Sequence, residues 1–201
     1  MSGVLIAAPM RLEQLLIRSA APRARVVRTG MGPRKSQAAA AELSRARGDA
    51  LLVLGFCGGL DAESVPGDVV VADDVLLAAE EDHLAERRSC DRSEGLARAL
   101  GRAGLRVRTG PVVCVSHIAL GERRAELRAS GAIAVDMESV WLAPGASGRP
   151  FDVVRVVLDS PSHELLRPGA AVGAARAARA LRRVARELSD FWTEGYGRPE
   201  R

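Results

Sequence analysis

The sequence predicts an α/β fold, and two observations carry the prediction. Short apolar runs alternate with helical patterns along the chain, as strands alternate with helices in this class. Most of the runs are apolar throughout rather than alternating, which marks strands buried on both faces. At 201 residues the chain suits a single domain spanning 1–201.

Taken in order, strands are expected near Val4–Ala8, Arg25–Thr29, Ala50–Leu54, Asp68–Asp73, Pro111–Ser116, Ala132–Asp136 and Asp152–Leu158. Helical patterns fill the intervals at Arg11–Ala20, Arg34–Arg47, Arg92–Ala103 and Arg123–Ser130, and Met137–Leu142 opens a short one. Pro66-Gly67 reads as a turn and Ala143–Pro150 as a loop. The last helix, Ala170–Trp192, places Val172, Ala175, Ala178, Leu181, Val184, Ala185, Leu188 and Phe191 on one stripe. Arg176, Arg179, Arg182, Arg183 and Arg186 occupy much of the rest. The stripe reads as an outer helix covering the sheet. The arginines read as a basic surface suited to anionic lipid, and one helix can do both. Gly195–Arg201 reads as a frayed tail.

Composition narrows the function classes. Hydrophobic residues make up 47% of the chain, enough for a sizeable core, and charged residues 27%. No apolar run approaches the roughly 18 residues of a membrane span, and MSGVLIAAPM reads as a first strand rather than a leader. Cys57, Cys90 and Cys114 lack metal-ligand spacing, so no metal is expected and the thiols should be reduced, as in the cytosol. Net charge is +4, but aromatics are only 3% and offer no stacking platform, which argues against nucleic acid.

The candidate chemistry lies in carboxylates at strand ends. Asp159 closes Val154-Arg155-Val156-Val157-Leu158-Asp159. Partial desolvation there would raise its pKa and let it act as a general acid near neutral pH. The same residue would also suit a turn cap with Ser160-Pro161. Glu138 follows Ala134-Val135-Asp136-Met137; a carboxylate there can accept hydroxyl protons and favour a cationic transition state, or simply sit well in a first helical turn. Asp136 should point to the opposite face from Met137. Glu13 lies just past the first strand, as either a site residue or an ordinary helix Glu. Glycines in Thr29-Gly30-Met31-Gly32-Pro33 and Leu54-Gly55-Phe56-Cys57-Gly58-Gly59-Leu60 would let backbone approach a ligand.

These motifs, with Val65-Pro66-Gly67-Asp68-Val69-Val70-Val71, resemble the purine nucleoside phosphorylase and methylthioadenosine nucleosidase superfamily over about residues 3–192. The resemblance implies a three-layer α/β/α sandwich with a mixed, partly closed central sheet, and cleavage of a nucleoside N-glycosidic bond. It assigns Asp159 to protonation of purine N7, Met137 and Glu138 to the ribose, and Glu13 to the attacking water. Phe56, Cys57 and Gly58 would line the substrate, and His117 or Ile118 the base pocket. It implies no cofactor, and a homo-oligomer. Phosphorylases of the superfamily hold phosphate with an Arg and a Ser or Thr near the second glycine run. Val53 and Phe56 stand there instead, and an apolar pair cannot replace a charge-assisted contact. Arg28 and Arg34 flank the first glycine turn as substitutes, so phosphate stays open while water is favoured.

Within the superfamily, Val135–Ser139 and Ser116-His117-Ile118-Ala119 look most like the hopanoid-biosynthesis branch, thought to remove adenine from adenosylhopane. That implies a lipid-linked substrate and peripheral membrane contact for a cytoplasmic protein. Methylthioadenosine/adenosylhomocysteine nucleosidase and futalosine hydrolase are the rival activities. A nucleoside-binding protein without turnover is the rival class.

Overall fold

The computed structural model describes residues 3–78, 84–163 and 170–193. The sheet is mixed. Its strands are β1 (Val4–Ala8), β2 (Arg25–Arg28), β3 (Ala50–Gly59), β4 (Val69–Ala78), β5 (Leu84–Ser89), β6 (Val107–Cys114), β7 (Ala134–Asp136) and β8 (Phe151–Asp159). The helices are α1 (Arg11–Ala20), α2 (Pro33–Arg45), α3 (Ser93–Arg102), α4 (Glu122–Ala129), α5 (Ser139–Leu142) and α6 (Ala170–Thr193), with a 3-10 turn at Ala143–Ala146.

Strand pairing explains the partial closure. β3 pairs with β8, β8 with β4, β4 with β6, β6 with β7, and β7 returns to β3. Those five strands form a ring. β1 and β2 extend the sheet from β3, and β5 extends it from β4. The strands of the ring can be apolar throughout because both faces are covered. On one side α1 and α6 meet, with α3 beside α6, over Ile6, Leu52, Leu54, Val154 and Val156. On the other, α2, α5 and the 3-10 turn cover Leu5, Leu51, Val53, Phe151 and Val153. This is the expected three-layer arrangement.

β1 and α1 have the predicted bounds. Three differences matter. β3 runs five residues past the expected Leu54, so the second glycine run is strand and not turn. It continues because Gly58 and Gly59 pair with β7 while β8 follows β3 along the other edge. β4 likewise runs past Asp73, because Asp74 takes Arg87 and Ser89 from β5 across an antiparallel pair. β5 itself was not anticipated: Leu84-Ala85-Glu86-Arg87-Arg88-Ser89 is a polar edge strand with no apolar run to announce it. The expected tail at Gly195–Arg201 lies outside the described residues.

Candidate active site

The C-terminal ends of β3, β7 and β8 converge, and the side chains there are charged and buried. Arg155, in the middle of β8, is fully buried and organises them. Its Nη2 lies 2.6 Å from Asp136 Oδ2, 3.0 Å from Ser139 Oγ and 3.5 Å from Glu138 Oε2. Burying a guanidinium is costly unless carboxylates surround it, and here β7 and the start of α5 supply them.

Glu13 approaches the same cation from α1. Its Oε1 accepts the Phe56 N–H at 2.6 Å and its Oε2 the Met10 N–H at 2.6 Å. The second bond is half of a capping box, which fixes Glu13 on the first turn of α1. Burial pushes Glu13 above the usual carboxylate range, against the pull of Arg155 and the two N–H groups. Burial also pushes Glu138 up to about 7, opposed by Arg155 and helped by Asp136. Glu138 Oε1 accepts the Gly32 N–H at 3.3 Å, which ties it to the first glycine turn. That turn does need glycine: Gly30 and Gly32 both have φ of +84°.

Asp136 is a brace. It takes Arg155 and the Ser139 hydroxyl, and its Oδ1 accepts the Glu138 and Ser139 N–H groups. It therefore fixes the turn that presents Met137 and Glu138. Met137 is half-buried and packs against the apolar cluster that includes Val135 and Leu60.

Asp159 is buried, as expected at a strand end, and it has a partner that the sequence did not announce. Its Oδ2 is ion-paired with Arg124 Nη2 at 2.5 Å, and Arg124 is itself buried on α4. Gly58 lies over the pair: a Cβ there would come within 3.3 Å of Arg124 Nη2 and 3.4 Å of Asp159 Oδ1. The Cys57 thiol is buried among Arg155, Asp136 and Asp159, and burial pushes it well up, so it is neutral.

Other predicted residues sit differently. The Phe56 ring packs into the core with Leu52, Leu54 and Val69, because Phe56 continues the inward register of β3; only its backbone N–H reaches the site. Val53 is core on the opposite face. Arg28 and Arg34 are exposed and form no hydrogen bond or ion pair among the described residues, so nothing draws them to the carboxylate cluster. His117 and Ile118 are exposed, Ile118 by 73%, and line a cleft of about 240 Å³ with Ala78, Val115, Ser116, Ala119 and Arg123. His117 Nδ1 shares a hydrogen bond with Ser116 Oγ at 3.0 Å.

Sequence reasoning missed Arg155, Arg124 and the reason for Gly55. A charged residue inside Val153–Val157 was the available signal for Arg155, since such a residue must find buried partners. Among the described residues no cluster of His, Cys, Asp and Glu could hold a metal.

Residues 11–186 match the phosphorylase superfamily, and the chain belongs to that family. No curated protein matches it. Among solved structures it is similar to 5′-methylthioadenosine/S-adenosylhomocysteine nucleosidase from Neisseria meningitidis in complex with methylthio-immucillin-A. The identity is 21%, covering 94% of this chain and 100% of that one, with a TM-score of 0.73. Futalosine hydrolase of Helicobacter pylori superposes at 0.78 with 19% identity, covering 96% and 98%. The Campylobacter jejuni nucleosidase also superposes at 0.78, with 16% identity over 94% and 100%. These likenesses establish the fold.

Proposed function

We propose that this protein hydrolyses the N-glycosidic bond of a purine nucleoside, adenine being the favoured base, with a 5′-substituted ribose. The observation that carries the reading is the meeting of Glu13 and Glu138 on Arg155, with Asp159 four residues further along β8.

In this reading Glu138 accepts the ribose hydroxyls and Met137 packs on the sugar. Glu13 accepts a proton from water as its oxygen bonds to the anomeric carbon. The C1′–N9 bond breaks, its electron pair stays on the base, and Asp159 supplies the proton that neutralises N7. Glu13 then returns its proton to solvent and Asp159 takes one up, so the balance is nucleoside plus water to purine plus sugar. The buried carboxylates outnumber Arg155, and that excess of negative charge favours a ribosyl cation. Water as nucleophile is supported by the positions of Arg28 and Arg34 and by the apolar Val53 and Phe56.

Adenosylhopane is the substrate we favour, on the sequence run Val135–Ser139 and on two surface features. Leu12, Leu15, Met31 and Ile118 are exposed apolar side chains that could meet a lipid tail. Arg176, Arg179, Arg182, Arg183 and Arg186 are exposed on α6 and suit peripheral contact with an anionic membrane. None of the described helices is long and apolar enough to cross one. The family resemblance also implies a homo-oligomer.

The test is release of free purine from methylthioadenosine, adenosylhomocysteine, futalosine and an adenosylhopane mimic, each with and without phosphate. Release without phosphate, abolished by Asp159→Asn, is the expected result. Release only with phosphate would replace hydrolysis by phosphorolysis. Binding without release from any substrate would move the protein to the nucleoside-binding class.

A further inference from the structure

Asp159 has two carboxyl oxygens, and the fold treats them differently. Oδ2 takes the guanidinium of Arg124 at 2.5 Å. Oδ1 takes no hydrogen bond within the described residues and lies beside Gly58, whose missing side chain leaves the approach open. Arg124 is fixed at two further points. Its Nη1 donates to the Gly59 carbonyl at 3.2 Å and its Nε to the Ala119 carbonyl at 3.0 Å. One side chain therefore ties together the end of β3, the end of β8 and the segment Ser116–Gly121. That segment is the one whose His117, Ile118 and Ala119 line the cleft.

We propose that Arg124 is the positioning residue for Asp159: it holds Oδ2, leaves Oδ1 to act on the base, and couples the acid to the wall of the base cleft. The proposal rests on the nucleosidase reading. A free carboxyl at a strand end rotates between its two oxygens, and a flexible acid spends little time aligned with a base nitrogen. A bidentate-capable guanidinium anchored to two carbonyls removes that freedom. It also shapes the proton transfer. With Oδ2 held by the cation, Oδ1 is the oxygen that faces the base and carries the proton to N7. The carboxylate that remains is the one Arg124 already pairs with.

The charged and titratable groups around Asp159 come from several elements. Arg124 faces it from α4 and the neutral Cys57 thiol from β3. Arg155 lies four residues back on its own strand, and His163 follows in the turn, bridged to Ser160. Among the described residues only Arg124 pairs with the carboxyl directly.

The experiment compares wild type, Arg124→Gln and Arg124→Lys in two ways. The Asp159 carboxyl carbon is followed by NMR against pH, and purine release is measured for kcat, KM and pH profile. In Arg124→Gln the carboxyl titration should move up by one unit or more. The descending high-pH limb of kcat should move up with it. At its optimum kcat should fall at least tenfold, with KM within threefold of wild type. Arg124→Lys should return the titration towards wild type but recover only part of kcat, because an ammonium cannot also hold both carbonyls.

A loss of kcat with neither the titration nor the limb displaced would reduce Arg124 to a structural prop and overturn the proposal. Full wild-type kcat in Arg124→Lys would overturn the geometric half of it, and that variant carries the test if Arg124→Gln does not fold. Should wild type release no purine from any nucleoside, the proposed activity fails. The carboxyl titration still judges the pair on its own.

Discussion

Gly55 and Arg155 lie directly opposite each other in the β3–β8 register, and the absence of a side chain at Gly55 is what makes room for Glu13. A Cβ at Gly55 would sit 2.5 Å from Glu13 Oε1 and 2.9 Å from Arg155 Nη1. Neither neighbour can yield freely, since Glu13 is held by two N–H groups and Arg155 by its carboxylates. Gly55→Ala should therefore displace Glu13. We expect a loss of about 1–3 kcal/mol in stability, typical of overpacking, and at least a tenfold fall in purine release. Denaturant unfolding and the release assay check this. A variant as active as wild type would mean that Glu13 does not position the nucleophile.

Arg155 compensates three buried carboxylates, so its removal should be among the most damaging single changes. Arg155→Ala should cost about 3–5 kcal/mol, the usual penalty for leaving buried charge unpaired. The penalty should depend on pH. Glu13 and Glu138 already titrate above their ordinary range through burial, and losing the cation raises them further. A carboxyl raised in the folded state binds protons that the unfolded chain releases, so stability increases as pH falls towards the unfolded value. The deficit of Arg155→Ala should shrink between pH 8 and pH 5. A deficit that is constant over this interval would remove the electrostatic explanation.

Much of this site was legible in the sequence, and the illegible part has a physical cause. Asp159 and Glu138 stand at the ends of apolar runs, where a buried strand leaves the sheet, and position alone marks them. Arg155 was visible as an interruption but not as a partner, because its carboxylates come from α1, β7 and the turn into α5. Arg124 gave less. In Glu122-Arg123-Arg124-Ala125-Glu126-Leu127-Arg128-Ala129 it resembles Arg123 and Arg128. Only its spacing of three from the buried Leu127 places it on the inward face. Phe56 was misread for a related reason: once β3 extends to Gly59, strand parity turns its ring into the core. The polar β5 carried no burial signal at all.

Glu138 should give the protein a pH response near neutrality. Burial lifts it to about 7, and its ionised form is the one that accepts ribose hydroxyls. Substrate KM should rise as pH falls through this value, and Glu138→Gln should flatten that dependence while raising KM throughout. The stability effect runs the other way. Above pH 7 the wild type carries the cost of a buried charge, which Gln lacks, and the cost fades as pH falls towards 4.5. Glu138→Gln should thus gain on the order of 1–3 kcal/mol relative to wild type between pH 5 and pH 8. Paired KM and unfolding measurements test both signs. A KM independent of pH between 6 and 8 would separate Glu138 from the ribose.

Asp152 offers the same physics away from the site. It is the second residue of β8, seven residues before Asp159, which is about 23 Å along an extended strand. Its Oδ1 accepts the Arg92 N–H at 2.7 Å, and the neighbouring Asp91 accepts the Phe151 N–H at 2.7 Å, so the two segments are clipped reciprocally. Among the described residues its Oδ2 makes no hydrogen bond and lies 3.8 Å from Arg92 Nη1, which is also unbonded. Burial pushes Asp152 up to about 6, against the pull of Arg92. The folded state therefore favours the protonated form, and the cost of ionisation appears as pH rises through 6. Asp152→Asn keeps an acceptor for the Arg92 N–H and removes the charge. Relative to wild type it should gain about 2–3 kcal/mol between pH 4 and pH 8, with purine release unchanged. Unfolding curves across that range decide it, and a variant whose deficit grows with pH would show that the Arg92 attraction outweighs desolvation.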